Sequence, residues 1–148
     1  MGGIIGYAPG VYDLFHVGHL NVLRRAKQQC DLLIAGVVAD DVVVRTKGFR
    51  PVIPLKERLE IVRAIDVVDR VYAERTTDKL DSWQDLHFDR IFKGEDWRGT
   101  ERGRLLEQRL GAVGVEVVYF PYTLETSSTQ LRRALTRRVT ARVPLVAT

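Results

Sequence analysis

The chain has 148 residues, of which 45% are hydrophobic and 28% charged, and it carries a formal net charge of +4 at pH 7. That length fits one domain with room for a substantial core, and no apolar run approaches membrane-spanning length. No signal peptide is expected from Met1-Gly2-Gly3-Ile4, which has no basic region followed by a long apolar segment, and the lone Cys30 excludes an internal disulfide and suits a reducing cytoplasm. The isoelectric point is about 9.5, with arginines gathered at Arg132, Arg133, Arg137, Arg138 and Arg142. No aromatic-rich basic stripe or groove-reading motif accompanies them, so neither a nucleic acid nor a membrane is expected as a partner. The basic balance suits a protein that handles polyphosphates.

The elements alternate in type. Ile4–Ala8 reads as a short strand that breaks into a Gly/Pro turn, and Gly18 to about Gln29 reads as a helix with Leu20, Leu23, Ala26 and Cys30 near one face. Leu32–Val38 is a continuous apolar run, as expected of a strand buried on both faces. Val42–Pro54, with basic residues, a glycine and two prolines, reads as a loop with room for one helical turn. Leu55–Ile65 is a helix, Asp69–Ala73 a strand, Thr77–Leu86 a short helix, Arg90–Lys93 a strand, Thr100–Leu110 a helix and Val115–Phe120 a strand. A last helix begins over Thr129–Thr136, capped by Ser127 or Ser128. The tail from Ala141 to Thr148 is expected to be loosely ordered. The expected fold class is α/β: a Rossmann-like, doubly wound, five-stranded parallel sheet in one domain over residues 1–138, with a tail over 139–148. Ligands then bind beyond the carboxyl ends of the strands.

Two histidines, His16 and His19, stand where the first strand empties through a Gly-rich turn into a helix. A helix N-terminus there offers free N–H groups and partial positive charge, a ready anion site. Side chains three apart on the first turn share a face, so both imidazoles can address one phosphate. Gly18 between them leaves room for close approach. A zinc site is poorly supported, because the only other histidine is His87 and the only cysteine Cys30. No protein-held metal is expected.

The segment Gly10-Val11-Tyr12-Asp13-Leu14-Phe15-His16-Val17-Gly18-His19 resembles the G-x-F-D-x-x-H-x-G-H signature of the cytidylyltransferase-like nucleotidyltransferases, with Tyr12 for Phe. From about Ile4 to Leu135 the chain is similar to glycerol-3-phosphate and ethanolamine-phosphate cytidylyltransferases. The resemblance implies that His16 and His19 bind a nucleoside triphosphate and stabilise the transition state at its α-phosphate. It places the nucleotide on Ala8, Pro9, Gly10, Val11, Tyr12, Asp13 and Gly18. Asp13 reads as orienting the turn or a histidine, not as a lone metal ligand.

Three further segments can carry chemistry. Thr46-Lys47-Gly48 puts a lysine in a Gly-containing loop, able to swing onto a phosphate; the Lys-Gly resembles that of choline- and ethanolamine-phosphate cytidylyltransferases, which makes Lys47 a triphosphate contact. Arg45 and Arg50 are neighbours that could hold an acceptor phosphate, and the resemblance makes Arg58 a substrate- or nucleotide-facing arginine. Gly94-Glu95-Asp96-Trp97 resembles the G-x-D-W of glycerol-3-phosphate cytidylyltransferases, which implies Asp96 on the nucleotide and Trp97 at the substrate. Thr123, Ser127, Ser128 and Thr129 can cap the last helix or hold a phosphate, one residue for each task. The relatives carry R-T-x-G-I-S-T-T there, and this chain departs with Tyr122, Glu125, Thr126 and Ser128.

The expected activity is transfer of CMP from CTP to a small phosphorylated alcohol such as glycerol 3-phosphate, with release of pyrophosphate, Mg²⁺ arriving with the triphosphate, and a homodimeric cytoplasmic protein. Three other readings stay open at this point. One is an adenylyltransferase for a sugar phosphate or flavin, another a cytidylyltransferase for a phosphonate, the third a nucleotide-binding subunit that has lost catalysis.

Overall fold

The structure is a computed structural model that describes residues 2–121 and 127–147, with side chains described as far as residue 137. Along these residues run β1 (Ile5–Gly10), α1 (Val17–Gln28), β2 (Leu32–Val38), α2 (Asp40–Lys47), α3 (Leu55–Arg63) and β3 (Arg70–Glu74). Then come α4 (Lys79–Leu86), β4 (Arg90–Gly94), a 3-10 turn at Glu95–Trp97, α5 (Glu101–Gly111), β5 (Glu116–Phe120) and α6 (Ser128–Ala147). The five strands form one parallel sheet in the order β3-β2-β1-β4-β5. This is the doubly wound sheet expected, and its winding reverses between β1 and β4. β1 pairs with β2 from Ile5↔Leu32 to Gly10↔Val37, but with β4 only at Gly6↔Arg90 and Tyr7↔Ile91. Beyond Tyr7 the two strands part and a crevice opens at the switch point. Pro9, with no N–H to give, sits where β1 has already lost its β4 partner.

Strand alternation sorts the core to two faces. Ala8, Leu33 and Phe92 point to the side covered by α1 and α3, against Leu23, Ala26 and Val62. Their neighbours Tyr7, Ile34 and Ile91 point the other way, against Phe88 and against Leu106 and Leu110 of α5. Cys30 is half-buried, as its sequence context suggested. Tyr7 crosses over Gly36 to give its hydroxyl to Glu74 Oε1 at 2.6 Å, and a Cβ at Gly36 would collide with it. No described helix is long and apolar enough to cross a membrane.

Two expectations need correction. The segment after β2 is not a loop with one turn but the helix α2. Asp40 and Asp41 complement its N-terminal dipole, Val42 and Val43 bury its inner face, and Gly48 ends it in the left-handed conformation at φ 78°. α6 runs on to Ala147, through most of the segment expected to be a loose tail.

The carboxyl edge of the sheet is tied together by two side chains. Arg58 of α3 is 0% exposed. Its Nε donates to Ile53 O at 2.8 Å, one terminal nitrogen to Val11 O at 2.7 Å and Val38 O at 2.8 Å, and the other to Asp40 Oδ1 at 2.5 Å. Asp13, 1% exposed, accepts from Val52 N at 2.8 Å and Ile53 N at 2.9 Å. Arg58 therefore faces protein, not ligand, which corrects its expected substrate contact: it positions the loops instead. Arg58→Met would strand three carbonyls and Asp40, and is expected to cost about 3–5 kcal/mol of stability. Arg45→Met, at a side chain that is 61% exposed, is expected to stay within about 0.5 kcal/mol. Denaturant midpoints of the two variants check this.

Candidate active site

Between β1 and α1 the backbone makes a sharp passage, with Tyr12 at φ 55° and Leu14 at φ 52°. Left-handed conformations at bulky residues cost energy and persist only when their surroundings impose them. Here the Tyr12 hydroxyl donates to Ala8 O at 2.8 Å and its ring is buried. The passage delivers His16 to the N-cap of α1. His16 Nδ1 accepts from Gly18 N at 3.0 Å, and His19 Nδ1 accepts from His16 N at 3.3 Å. This is a capping box built from two imidazoles. A nitrogen that accepts carries no proton, so each neutral ring holds its proton on Nε2.

The rings lie 4.0 Å apart between centroids, and both Nε2 atoms reach one point. Ser128 Oγ stands there, 3.4 Å from His16 Nε2 and 3.5 Å from His19 Nε2, while donating to Asp13 O at 2.6 Å. Ser127, one residue earlier, caps α6 by accepting from Gln130 N at 3.1 Å. The capping task expected of one of the two serines falls to Ser127, and Ser128 stands at the imidazoles. Two helix N-termini and two imidazole N–H groups converge on a small volume, an arrangement suited to phosphate oxygens.

The histidines are neutral in this setting. Burial, then the neighbouring His16, push His19 down to about 4, against a smaller opposing pull from Asp13. Burial lowers His16 as well. Lys47 is lowered by burial and by the cations Arg132, Arg102 and Lys79, with Asp96 opposing. The site is short of negative charge.

A cavity of about 380 Å³ collects Pro9, Gly10, Val11, Tyr12, Asp13, His16, Gly18, His19, Lys47, Ser127, Ser128 and Thr129 from the expected set. Phe49, Lys93 and Arg132 join them and were not in that set. Arg132, which the basic last helix offers from sequence as a candidate phosphate contact, lies one helical turn beyond Ser128. It sits 3.6 Å from Asp13 Oδ2 and 4.1 Å over the Phe49 ring. Ala8 is 1% exposed and packs in the core, reaching the site only through its carbonyl. Asp96 lies exposed on the 3-10 turn and lines neither this cavity nor the larger one beside it. Arg45 pairs with Asp41 at 3.6 Å on the outer side of α2, and Arg50 stands 3.9 Å from Asp40. Neither lines this cavity or the larger one beside it. Trp97 lines the larger cavity. Thr123, Tyr122 and Glu125 lie outside the described residues.

The sequence profile of the cytidylyltransferase-like family matches residues 7–134. The chain belongs to that family. Among its relatives, FAD synthase of Pyrococcus abyssi is 35% identical over 131 residues, 86% of this chain and 87% of that protein. The bifunctional protein HldE of Hyphomonas neptunium is 32% identical over 86% of this chain, which spans only 26% of that protein. Ethanolamine-phosphate cytidylyltransferase of Arabidopsis thaliana is 37% identical over 61% of this chain and 22% of that protein. A lipopolysaccharide core biosynthesis protein from Thermoplasma volcanium superposes with a TM-score of 0.70 at 26% identity, covering 84% of this chain and all of that one. Pantothenate synthetase from Thermus thermophilus shares the fold alone, with a TM-score of 0.59 at 17% identity.

The imidazoles of this cytidylyltransferase-like domain predict a pH response. Between the ordinary histidine value and about 4, the unfolded chain takes up a proton that folded His19 refuses. Stability should therefore fall as pH drops through that window and be insensitive to His19 above it. Nitrogen-15 shifts of the imidazoles should show His19 neutral, with the proton on Nε2, at pH 5. A charged His19 at that pH would contradict the capping geometry.

Proposed function

We propose that this nucleotidyltransferase moves CMP from CTP to a phosphate oxygen of a small phosphorylated acceptor. The observation that carries the reading is the convergence of two imidazole N–H groups, two helix N-termini and Lys47 in the switch-point crevice. An acceptor oxygen, already anionic, attacks the α-phosphorus in line. A new P–O bond forms, the bond to the bridging oxygen breaks, and its electron pair leaves with pyrophosphate. No general base or covalent intermediate is needed, so the work is positioning and charge stabilisation. His16 and His19 give Nε2–H bonds to the α- and β-phosphate oxygens, and Lys47 supplies a mobile positive charge. Both Asp13 oxygens are engaged by backbone N–H groups, which leaves that carboxylate poorly placed to hold a metal. Mg²⁺ fits best as a companion of the triphosphate, held by phosphate oxygens and water, and would neutralise charge on the leaving group.

Support for CTP comes from the cytidylyltransferase-like segments and the ethanolamine-phosphate relative. A second reading, adenylyl transfer from ATP to a flavin phosphate, is favoured by FAD synthases matching over most of their length. Melting curves with each of the four NTPs and Mg²⁺ separate the two, since a ligand bound only to the folded state stabilises it. CTP is expected to give the largest shift. A larger shift with ATP favours the second reading, and no shift with any NTP would sink nucleotidyl transfer. His16→Ala and His19→Ala are each expected to lower kcat by about a hundredfold or more, as loss of one transition-state donor does, in a folded protein. We also propose a homodimer, as closed twofold pairs are the commonest assembly. Light scattering should give about twice the 16.8 kDa chain mass.

A further inference from the structure

A second cavity, about 560 Å³, opens along the same edge of the sheet. It shares Gly10, Val11 and Lys47 with the histidine crevice. A ligand in it and a nucleotide at the histidines would meet at Lys47. Its volume falls in the range of sites for drug-sized molecules and exceeds what a three-carbon phosphate would fill.

The walls are mostly apolar: Val38 and Val42 on one side, Leu80 on α4, and Leu105, Leu106 and Leu110 on α5. The polar side chains on them are largely occupied by the protein itself. Glu74 accepts from Tyr7 and Ser82 and pairs with Lys79. Asp78 accepts from Leu80 N and pairs with Arg109 at 2.7 Å. The Thr46 hydroxyl donates to Val42 O, and that of Thr76 to Asp81. No asparagine or glutamine lines the cavity.

Three cations are the exception. Lys47 and Arg102 line the cavity, and Lys93, which lines the histidine crevice, stands over the Trp97 ring that walls this one. Lys93 Nζ lies 3.9 Å from the Trp97 ring centroid, and the Arg102 guanidinium 4.4 Å from the same centroid. Among the described residues none of the three has a carboxylate within ion-pair distance. Burial and the facing Lys79 and Lys47 push the Lys93 amine down to about 7, although Glu74 and Asp96 act to raise it. Gathered, unpaired cations beside an apolar chamber describe a seat for an anion with an apolar body.

We propose that the larger cavity is the acceptor site, in which Arg102, with Lys47 and Lys93 at the boundary with the histidine crevice, holds the acceptor phosphate and the Val/Leu walls hold its body. The substrate class is then a phosphomonoester with an aromatic or branched aliphatic body. A small polyol phosphate fits poorly, because hydroxyls buried against the Val/Leu walls would lack partners, and unpaired polar groups are what a site rejects most strongly. The proposal rests on the nucleotidyl-transfer reading, since it needs an acceptor to place.

Titration calorimetry with inorganic phosphate and phenyl phosphate as probes tests it, without nucleotide and with the NTP that gives the largest melting shift. Phenyl phosphate is expected to bind about tenfold more tightly than inorganic phosphate, and alongside the NTP. Arg102→Met should weaken both probes about tenfold, the loss expected of one charge-assisted contact, while NTP affinity holds. Leu105→Ser, at a side chain 54% exposed and so tolerated by the fold, should weaken phenyl phosphate and leave inorganic phosphate alone. Equal affinity for the two probes would overturn the proposal. So would competition between probe and NTP, or an equal loss of NTP affinity in Arg102→Met, which would assign this cation to the donor's polyphosphate. Nucleotidyl transfer itself fails separately, on the absence of any NTP melting shift in the unaltered protein, a measurement that uses neither probe.

Discussion

Arg58 donates to carbonyls of three separate loop or strand ends and to Asp40, and the active edge of the sheet is arranged around it. Parallel strands end in loops whose peptide groups have left the ladder and still need partners. At this edge a buried guanidinium and the buried Asp13 carboxylate supply them. An isolated buried charge would be prohibitive, but each of these is saturated by hydrogen bonds with fixed directions. Loops that are otherwise the mobile part of such a fold become fixed parts of it. The turn before α1, the end of β2 and the segment ahead of α3 are held in one geometry, and the site inherits that rigidity.

The histidines depend on the frame in a second way. Each spends its Nδ1 on the backbone of the first turn of α1. The same bonds that cap the helix set the tautomer and aim both Nε2–H groups outward. A serine or glutamate could cap as well, but only imidazole can cap with one atom and leave a donor on the far side of the ring. The left-handed backbone at Tyr12 and Leu14 is the local cost of bringing the chain into that position, and burial of the Tyr12 ring helps to offset it.

Electrostatics divides the edge into two compartments. On the histidine side, neutral imidazoles and helix N-termini offer directed N–H groups. On the other side, Arg102 sits against Trp97 with apolar walls around it, and Lys93 reaches the same ring from the histidine crevice. Lys47, on the last turn of α2, belongs to both. Its position follows from Gly48, which ends the helix at the point where a lysine can serve either side.

The sequence alone determined the alternation of strands and helices, the parallel sheet and the paired histidines at the start of α1. These are short-range properties: hydrophobic period, turn residues and cap residues act within a few positions of one another. The α2 helix was legible too, in Asp40, Asp41 and Gly48, but the basic residues and prolines after Val42 drew the reading toward a loop. What only the tertiary structure decided is the use made of long side chains. Arg58 looked like a ligand contact and proved to be buried among carbonyls as far away in sequence as Val11. Lys93 looked like an ordinary strand residue and proved to stand near Lys47, Lys79 and Arg102. A flexible charged side chain takes its role from whatever the fold brings within reach, and no local pattern records which distant residues those will be.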